Sequence, residues 1–530
     1  MISELDVIFA IFPGVILFLY GIQHFSEEIQ KVAGEKFRKI LEKFTRNPIK
    51  GTIFGAIVTA IVQSSHATTL ITLGLVNAGI ISFYNSIGII FGANIGTTIT
   101  AQLIAFKLTG FAPVIMIFGF LLGLLGGKKY KFLGKPIFYF GLVFFSLNMI
   151  SAVVFPLKDD PEILSLFSTL SNFWIAILVG FILTNIFQSS SVSVGLTVVF
   201  VQAGLVTLDQ AVPVLLGANL GTTTTILVAS LSMDLFSKRV AATQFLFNFL
   251  GVLIFIPLIP NLIFAVQELG GTPSQQIANA HLLFNVCCAI IFLIFINQFK
   301  KLVECIVQGK EQEILFKAKY LNDVLPEKNS AAVDLINKEM LYYISICEKQ
   351  LDEIMDNLSK GKMDIVRISK LEMLTDVLDD KISDSLLLLS KRNISEEEAK
   401  HSILLIRVSN LLEQFGDLGE DLAYTFKDAQ EKGIEFSADA LEGLFETYSI
   451  VKQNINILKK PPFSLTKKDS DDMRENDNKL RTSIYKHYKT HIMRLSSKKA
   501  PSGSIFIECI SKIEAMGGKI RAIRKLLEKN

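Results

Sequence analysis

Long apolar runs in this chain are broken twice by the same short polar phrases. Residues 51–106 and 163–208 contain no Asp, Glu, Lys or Arg and are mostly Ile, Val, Leu, Phe, Gly and Ala. Runs of this kind predict membrane-embedded helices. The first carries Gln63-Ser64-Ser65-His66 and then Gly92-Ala93-Asn94-Ile95-Gly96-Thr97-Thr98. Gln188-Ser189-Ser190-Ser191 and Gly217-Ala218-Asn219-Leu220-Gly221-Thr222-Thr223 repeat the phrases at an offset of 125 residues. At that offset residues 51–105 match 18 of 55 positions, which defines an internal repeat. Polar groups at membrane depth are costly unless they line a cavity or sit at a helix break. A lone Ser can instead bond back to its own helix or join neighbouring helices. The duplication of both phrases favours the cavity.

Loop charges set the expected topology, because cytoplasmic loops collect Lys and Arg. Basic stretches at 31–50, 128–135, Lys238-Arg239 and Lys300-Lys301 are assigned inside. The acidic N-terminus, the stretch 158–162 and the surroundings of Glu268 are assigned outside. Helix 7–24 then runs inward and helix 136–156 outward, so the two repeats are inverted. Helix 111–126 returns inward, so 51–106 makes one net crossing, supplied by 83–106. Residues 51–82 must enter and leave on one side. The arms flanking Gln63 are shorter than the ~20 residues needed to span, which predicts a re-entrant hairpin with its tip at Gln-Ser-Ser. The same arithmetic makes 173–205 a second hairpin, with 206–236 crossing inward, an inverted-repeat transporter arrangement. Gly92 to Gly96 are expected to weaken a helix and Thr97-Thr98 to cap a new one. With Ser caps on the hairpin arms, up to four half-helix N-termini would face one cavity, an anion site. Freed carbonyls and neutral side-chain oxygens suit Na⁺. No Arg lies between Arg46 and Arg239, so an anion there would be held by neutral donors and co-bound cations.

Composition divides the chain. Of 530 residues, 50% are hydrophobic, yet residues 1–300 hold only 28 of the 103 charged ones. This predicts an all-α protein with a polytopic membrane domain at 1–300 and a helical bundle at 301–530. The repeats span about 7–126 and 136–260, with an extra helix at 281–298. A net charge of +3 says little about partners, and no nucleic-acid partner is expected. Five cysteines give no disulfide framework and no zinc pairing. The acidic start predicts a retained first helix rather than a cleaved signal. Amphipathic helices are expected at 335–359 and 364–392, with Ser395 capping the next. Breaks at Pro461-Pro462 and 496–503 complete an up-down bundle of six helices. No Ser-His-Asp, Cys-His or P-loop pattern stands out, so an enzyme is not expected.

Gln63 to Thr69, Val76-Asn77-Ala78-Gly79 and Gly92 to Thr98 resemble the bacterial relatives of the type II sodium–phosphate cotransporters, as does the second copy from Gln188 to Thr225. The segments 241–248 and 278–285 resemble that family's recurring A-x-x-H-x-x-F-N pattern, with Gln244 where His is usual. The resemblance covers roughly residues 10–300 and implies Na⁺-driven phosphate import across a bacterial cell membrane, with both tips at the sites. Expected substrate and ion ligands are Gln63, Ser64, Ser65, His66, Thr68, Thr69, Asn94, Thr97 and Thr98. Their counterparts are Gln188, Ser189, Ser190, Ser191, Ser193, Asn219, Thr222, Thr223 and Thr225. His66 departs from the family's Ser and is either a structural donor or a source of pH sensitivity. Leu412 to Ala423 resembles the signature of PhoU domains, which implies a cytoplasmic regulatory bundle. By the same resemblance Glu372, Asp376, Asp380, Glu413 and Asp417 would hold a divalent metal, although acids at such spacing also make a plain solvated face. A homodimer and a cytoplasmic signalling partner are further expectations. The competing expectation is a membrane phosphate sensor without net transport.

Overall fold

The computed structural model describes residues 4–44, 47–106, 108–127, 130–309, 314–322, 324–461, 463–496 and 503–529. Arg46, Lys107, Lys128, Lys129, Pro462, Met1 to Ser3 and residues 497–502 of the last expected break lie outside the described residues. Every regular element among the described residues is helical. The chain packs as two compact units, Met1–Glu313 and Ile314–Asn530.

The first unit contains α1 (Glu4–Phe44), α2 (Pro48–Val62), α3 (Ser65–Asn77), α4 (Phe83–Ala105), α5 (Ala112–Leu125), α6 (Gly134–Val154) and α7 (Pro161–Ser168). It continues through α8 (Phe173–Phe187), α9 (Ser190–Ala203), α10 (Leu208–Gly221), α11 (Thr223–Ser230) and α12 (Leu235–Phe255). The last three are α13 (Ile259–Glu268), α14 (Pro273–Ile294) and α15 (Ile296–Ile306). Six helical stretches among the described residues are long and apolar enough to cross a bilayer, and a pair bent by 102° near Asn172 makes a seventh. Phe9, Phe118, Phe120, Trp174 and Leu178 face outward with more than half their surface exposed. Lipid, not water, is the solvent such a surface fits. This is a multi-pass membrane protein. Helix α1 does not stop at residue 24; Glu, Lys and Gln are good helix formers and carry it on to Phe44.

Glycines fix how the short helices lie. A Cβ on Gly88 would sit 1.9 Å from the Pro48 carbonyl, on Gly92 2.1 Å from that of Thr52, and on Gly96 2.4 Å from that of Ala56. The register advances in step, so α2 and α4 run parallel and start level with each other. Helix α3 therefore carries the chain back along α2 before α4 begins, about 20 Å for its length. The second copy repeats the device. A Cβ on Gly217 would sit 1.9 Å from the Ile177 carbonyl oxygen and one on Gly221 2.9 Å from that of Phe181, so α8 and α10 are parallel and α9 returns. Helices α1 and α6 run antiparallel, with Gly14 against Ile150 and Gly21 against Val143.

One expectation is corrected here. Gly92 and Gly96 do not break a helix, because α4 runs whole from Phe83 to Ala105. They are the places where two backbones touch. In the second copy the hydrogen-bond ladder is interrupted at Thr222 between α10 and α11, but Thr222 keeps helical geometry and Leu208–Ser230 continues as one span.

The second unit holds six helices among the described residues: α16 (Asn329–Ser359), α17 (Ile365–Ser390), α18 (Glu396–Glu431), α19 (Ala438–Leu458), α20 (Lys467–Ser496) and α21 (Gly503–Leu527). Ser395 forms a capping box with Glu398 at the start of α18. Their apolar faces close one core around Tyr343, Leu371, Phe415 and Phe506. Gly416 and Gly419 let α18 approach Thr375 and Gln350, and Gln350 Nε2 donates to the Gly416 carbonyl at 3.0 Å.

Candidate functional site

Each α2–α3 and α8–α9 corner turns on a glutamine. Gln63 has φ 58° and Gln188 φ 52°, and among the described residues no other non-glycine has positive φ. A left-handed glutamine is strained, and such strain clusters at functional sites. After each corner a Ser takes the N-cap. Ser64 Oγ accepts from the Ala67 amide at 3.1 Å, and Ser189 caps α9 through its backbone conformation alone.

The two corners meet. One cavity of about 40 Å³ is lined by Gln63, Ser64, Ser65, His66, Thr97, Gln188, Ser189, Ser190, Ser191, Thr222 and Thr225, together with Thr184 and Gly221. A water occupies roughly 10–15 Å³ on that scale, so the space suits a compact ion and its partners rather than an organic cofactor. No lining side chain is Asp, Glu, Lys or Arg. The first turns of α3 and α9 begin at lining residues, which brings two positive helix ends to the cavity. The last turns of α2 and α8 end there too and offer carbonyl oxygens to a cation.

The remaining expected ligands lie behind the wall. Thr68 accepts a hydrogen bond from Thr59 Oγ1 at 2.8 Å, and its counterpart Ser193 accepts one from Thr184 at 2.8 Å. Thr98 and Thr223 donate back to the Ile95 and Leu220 carbonyls. Thr69 is buried with its hydroxyl unpartnered. Asn94 and Asn219 are buried against α12 and α14, where they bond Gln244 and His281.

Two residues escaped the sequence reading. Thr184 lines the cavity, and Thr100 Oγ1 donates to Gln63 Oε1 at 2.5 Å and accepts from Ser191 at 3.5 Å. The repeat held the signal, since Thr100 and Thr225 are 125 apart. The bonds are reciprocal: His66 of the first copy pairs with Thr225 of the second at 3.3 Å, as Ser191 pairs with Thr100. Each corner is thus tied to the other copy's threonine.

In the second unit, Glu372, Asp376 and Asp417 bring carboxylate oxygens within 4.8 Å of one another. Asp380 and Glu413 fall outside this trio. Partial burial, with the Asp376 charge, pushes the Glu372 carboxyl up to about 7. Asp376, Glu413 and Asp417 are raised as well, first by burial and then by neighbouring acids. Hard oxygen donors under mutual repulsion are chemically suited to a divalent cation.

A helical membrane protein whose repeated corners enclose a neutral polar cavity has the architecture that membrane transporters use. The Na⁺/Pi-cotransporter family profile matches residues 17–152 and 162–258. The chain belongs to that family, and its function is transport rather than catalysis. YqeW of Bacillus subtilis (strain 168), itself uncharacterised, is 34% identical over 299 residues, 56% of this chain and 97% of its own. YjbB of Escherichia coli (strain K12), provisionally named an inorganic phosphate export protein, is 23% identical over 92% of this chain and 91% of its own. Sodium-dependent phosphate transport protein 2C of Mus musculus is 43% identical over 108 residues, 19% of this chain and 18% of its own. No solved structure matches the chain.

Proposed function

We propose that this chain is a secondary transporter that couples Na⁺ to inorganic phosphate, with two inverted repeats and re-entrant hairpins meeting at the site. The observation that carries the reading is the single neutral cavity lined by both Gln-Ser-Ser corners and by Thr97 and Thr222. Helix N-termini and hydroxyls bind the phosphate oxygens, while helix C-terminal carbonyls and glutamine oxygens bind Na⁺. With no fixed positive side chain in the wall, the cation supplies the countercharge, which makes coupling obligatory. The antiparallel α1 and α6, which precede the two copies, support inversion.

Direction follows the combined gradient, so inward Na⁺ drives import. The name of the full-length Escherichia coli relative favours a second reading, net export when internal phosphate is high. The C-terminal unit is cytoplasmic and PhoU-like in this reading and regulates transport. A divalent ion held by Glu372, Asp376 and Asp417 would neutralise their repulsion there.

The test is radiolabelled phosphate flux in proteoliposomes under Na⁺ gradients of either direction, with K⁺ replacing Na⁺ as control. Flux that requires Na⁺, follows its gradient and collapses in Ser65→Ala and Ser190→Ala is expected. Phosphate binding without flux would instead mark a sensor. Flux driven by a proton gradient alone would overturn the coupling ion.

A further inference from the structure

The segments 241–248 and 278–285 match at an offset of 37 residues in Ala, Leu, Phe and Asn, and they lie on α12 and α14. Among the four positions that differ, Gln244 in one segment stands where His281 stands in the other. Gln244 Oε1 accepts from Asn94 Nδ2 at 2.7 Å, and Gln244 Nε2 donates to Asn94 Oδ1 at 3.1 Å. His281 Nε2 meets Asn219 Oδ1 at 3.0 Å. Asn94 and Asn219 are the same position of the two repeats, so two dissimilar side chains do one job. All four residues are at least 95% buried. The following asparagine backs each segment, Asn248 Nδ2 donating to the Gln244 carbonyl at 3.0 Å and Asn285 Nδ2 to that of His281 at 2.9 Å, but Asn248 Nδ2 also donates to Asn94 Oδ1 at 3.1 Å.

We propose that Gln244 and His281 are equivalent positioning residues, each bracing the GANxGTT asparagine of one repeat so that the threonine three residues on faces the cavity. That threonine is Thr97 in one copy and Thr222 in the other, and both line the wall. One helical turn separates each from its asparagine, so a fixed asparagine fixes the phase of the helix there. The braces are unequal. The primary amide of Gln244 answers both ends of the Asn94 amide. The imidazole answers one end of Asn219, and Asn219 Nδ2 and His281 Nδ1 stay buried without partners. The first copy's helix runs whole through its motif, while in the second the hydrogen-bond ladder is interrupted at Thr222, one turn beyond the half-answered asparagine.

The inference rests on the transport reading and is tested on the whole protein in proteoliposomes. Initial rates of Na⁺-driven phosphate uptake are measured against phosphate and Na⁺ concentration, normalised to folded protein. Gln244→Leu and His281→Leu are expected to raise half-saturating phosphate or Na⁺ by about tenfold, the equivalent of one buried hydrogen bond. Gln244→His and His281→Gln are expected to restore it to within about threefold, and His281→Gln to raise the melting temperature by partnering Asn219 Nδ2. A purely structural role lowers the yield of folded protein and leaves half-saturation alone, so folded Leu variants with wild-type values overturn the proposal. If the Leu variants do not fold, Gln244→Asn and His281→Asn keep the polarity and shorten the reach. The same rise is expected of them, and wild-type values again overturn it. Wild-type protein that neither binds nor moves phosphate overturns the transport reading and this inference with it.

Discussion

Gln63 and Gln188 hold a backbone conformation that costs a non-glycine about 1–3 kcal/mol. Glycine would relieve that cost and remove the amide. Gln63→Gly and Gln188→Gly should therefore keep or raise the melting temperature while phosphate uptake falls at least about tenfold. Loss of both stability and uptake would place the glutamine's role in the fold instead. In the second unit Glu372 titrates near 7 because burial and Asp376 disfavour its charge. Its folded pKa lies above its unfolded value, so between the two the folded state holds the extra proton and stability falls as pH rises. The protection factors of α17 and α18 in the full chain, with the intrinsic pH dependence of amide exchange divided out, should rise from pH 8 to pH 5. Glu372→Gln should flatten that dependence, and millimolar Mn²⁺ should do so only if the trio binds metal.

At the scale of elements, the two copies are held by backbone contacts at small residues. Gly92 and Gly217 occupy the same position against α2 and α8, and a Cβ on either would overlap a carbonyl oxygen. Gly92→Val or Gly217→Val should cost about 1–3 kcal/mol or more by forcing the helices apart. Thermal scans of the detergent-solubilised protein would show it, and Gly74→Ala, with nothing within 4 Å of the added methyl, should be silent. This is where composition misled the expectation for α4. Glycine weakens an isolated helix. Packed on another backbone it is what permits the helix to lie there, and its neighbours hold it straight. The second motif keeps the same contacts at Gly217 and Gly221, and its span likewise continues from Leu208 to Ser230.

At the scale of the molecule, the chain leaving the first unit is pinned on both sides of its boundary. Buried Arg239 donates to the Val307 and Gly309 carbonyls at 3.2 and 3.3 Å. Beyond it, the fully buried Glu339 accepts from the amides of Lys319, Tyr320 and Leu321 at 2.8, 2.5 and 2.9 Å. Glu339→Ala would strand those amides and should destabilise the second unit by roughly 3 kcal/mol. Urea titration read by protection of α16 would measure it, and Glu339→Gln, which keeps one acceptor, should cost less.

Residue order alone was enough to show that the protein is helical, that two stretches are membrane-embedded, and that Gln63 to Ser65 and Gln188 to Ser190 are corresponding corners. Those properties follow from composition, from segment length against bilayer thickness, and from a repeat with a constant offset, all of which are written along the chain. It also placed Ser395 at a helix start, because capping is local chemistry. Which hydroxyls face the cavity and which turn inward emerges only from the packing of the helices. Thr97 and Thr98 are neighbours in one motif, yet one lines the cavity and the other bonds back to Ile95. Thr100 joins Gln63 and Ser191 across 37 and 91 residues, and Gln244 reaches Asn94 across 150. Such pairings depend on how helices rotate and pack against one another, and no local pattern of residues carries that rotation.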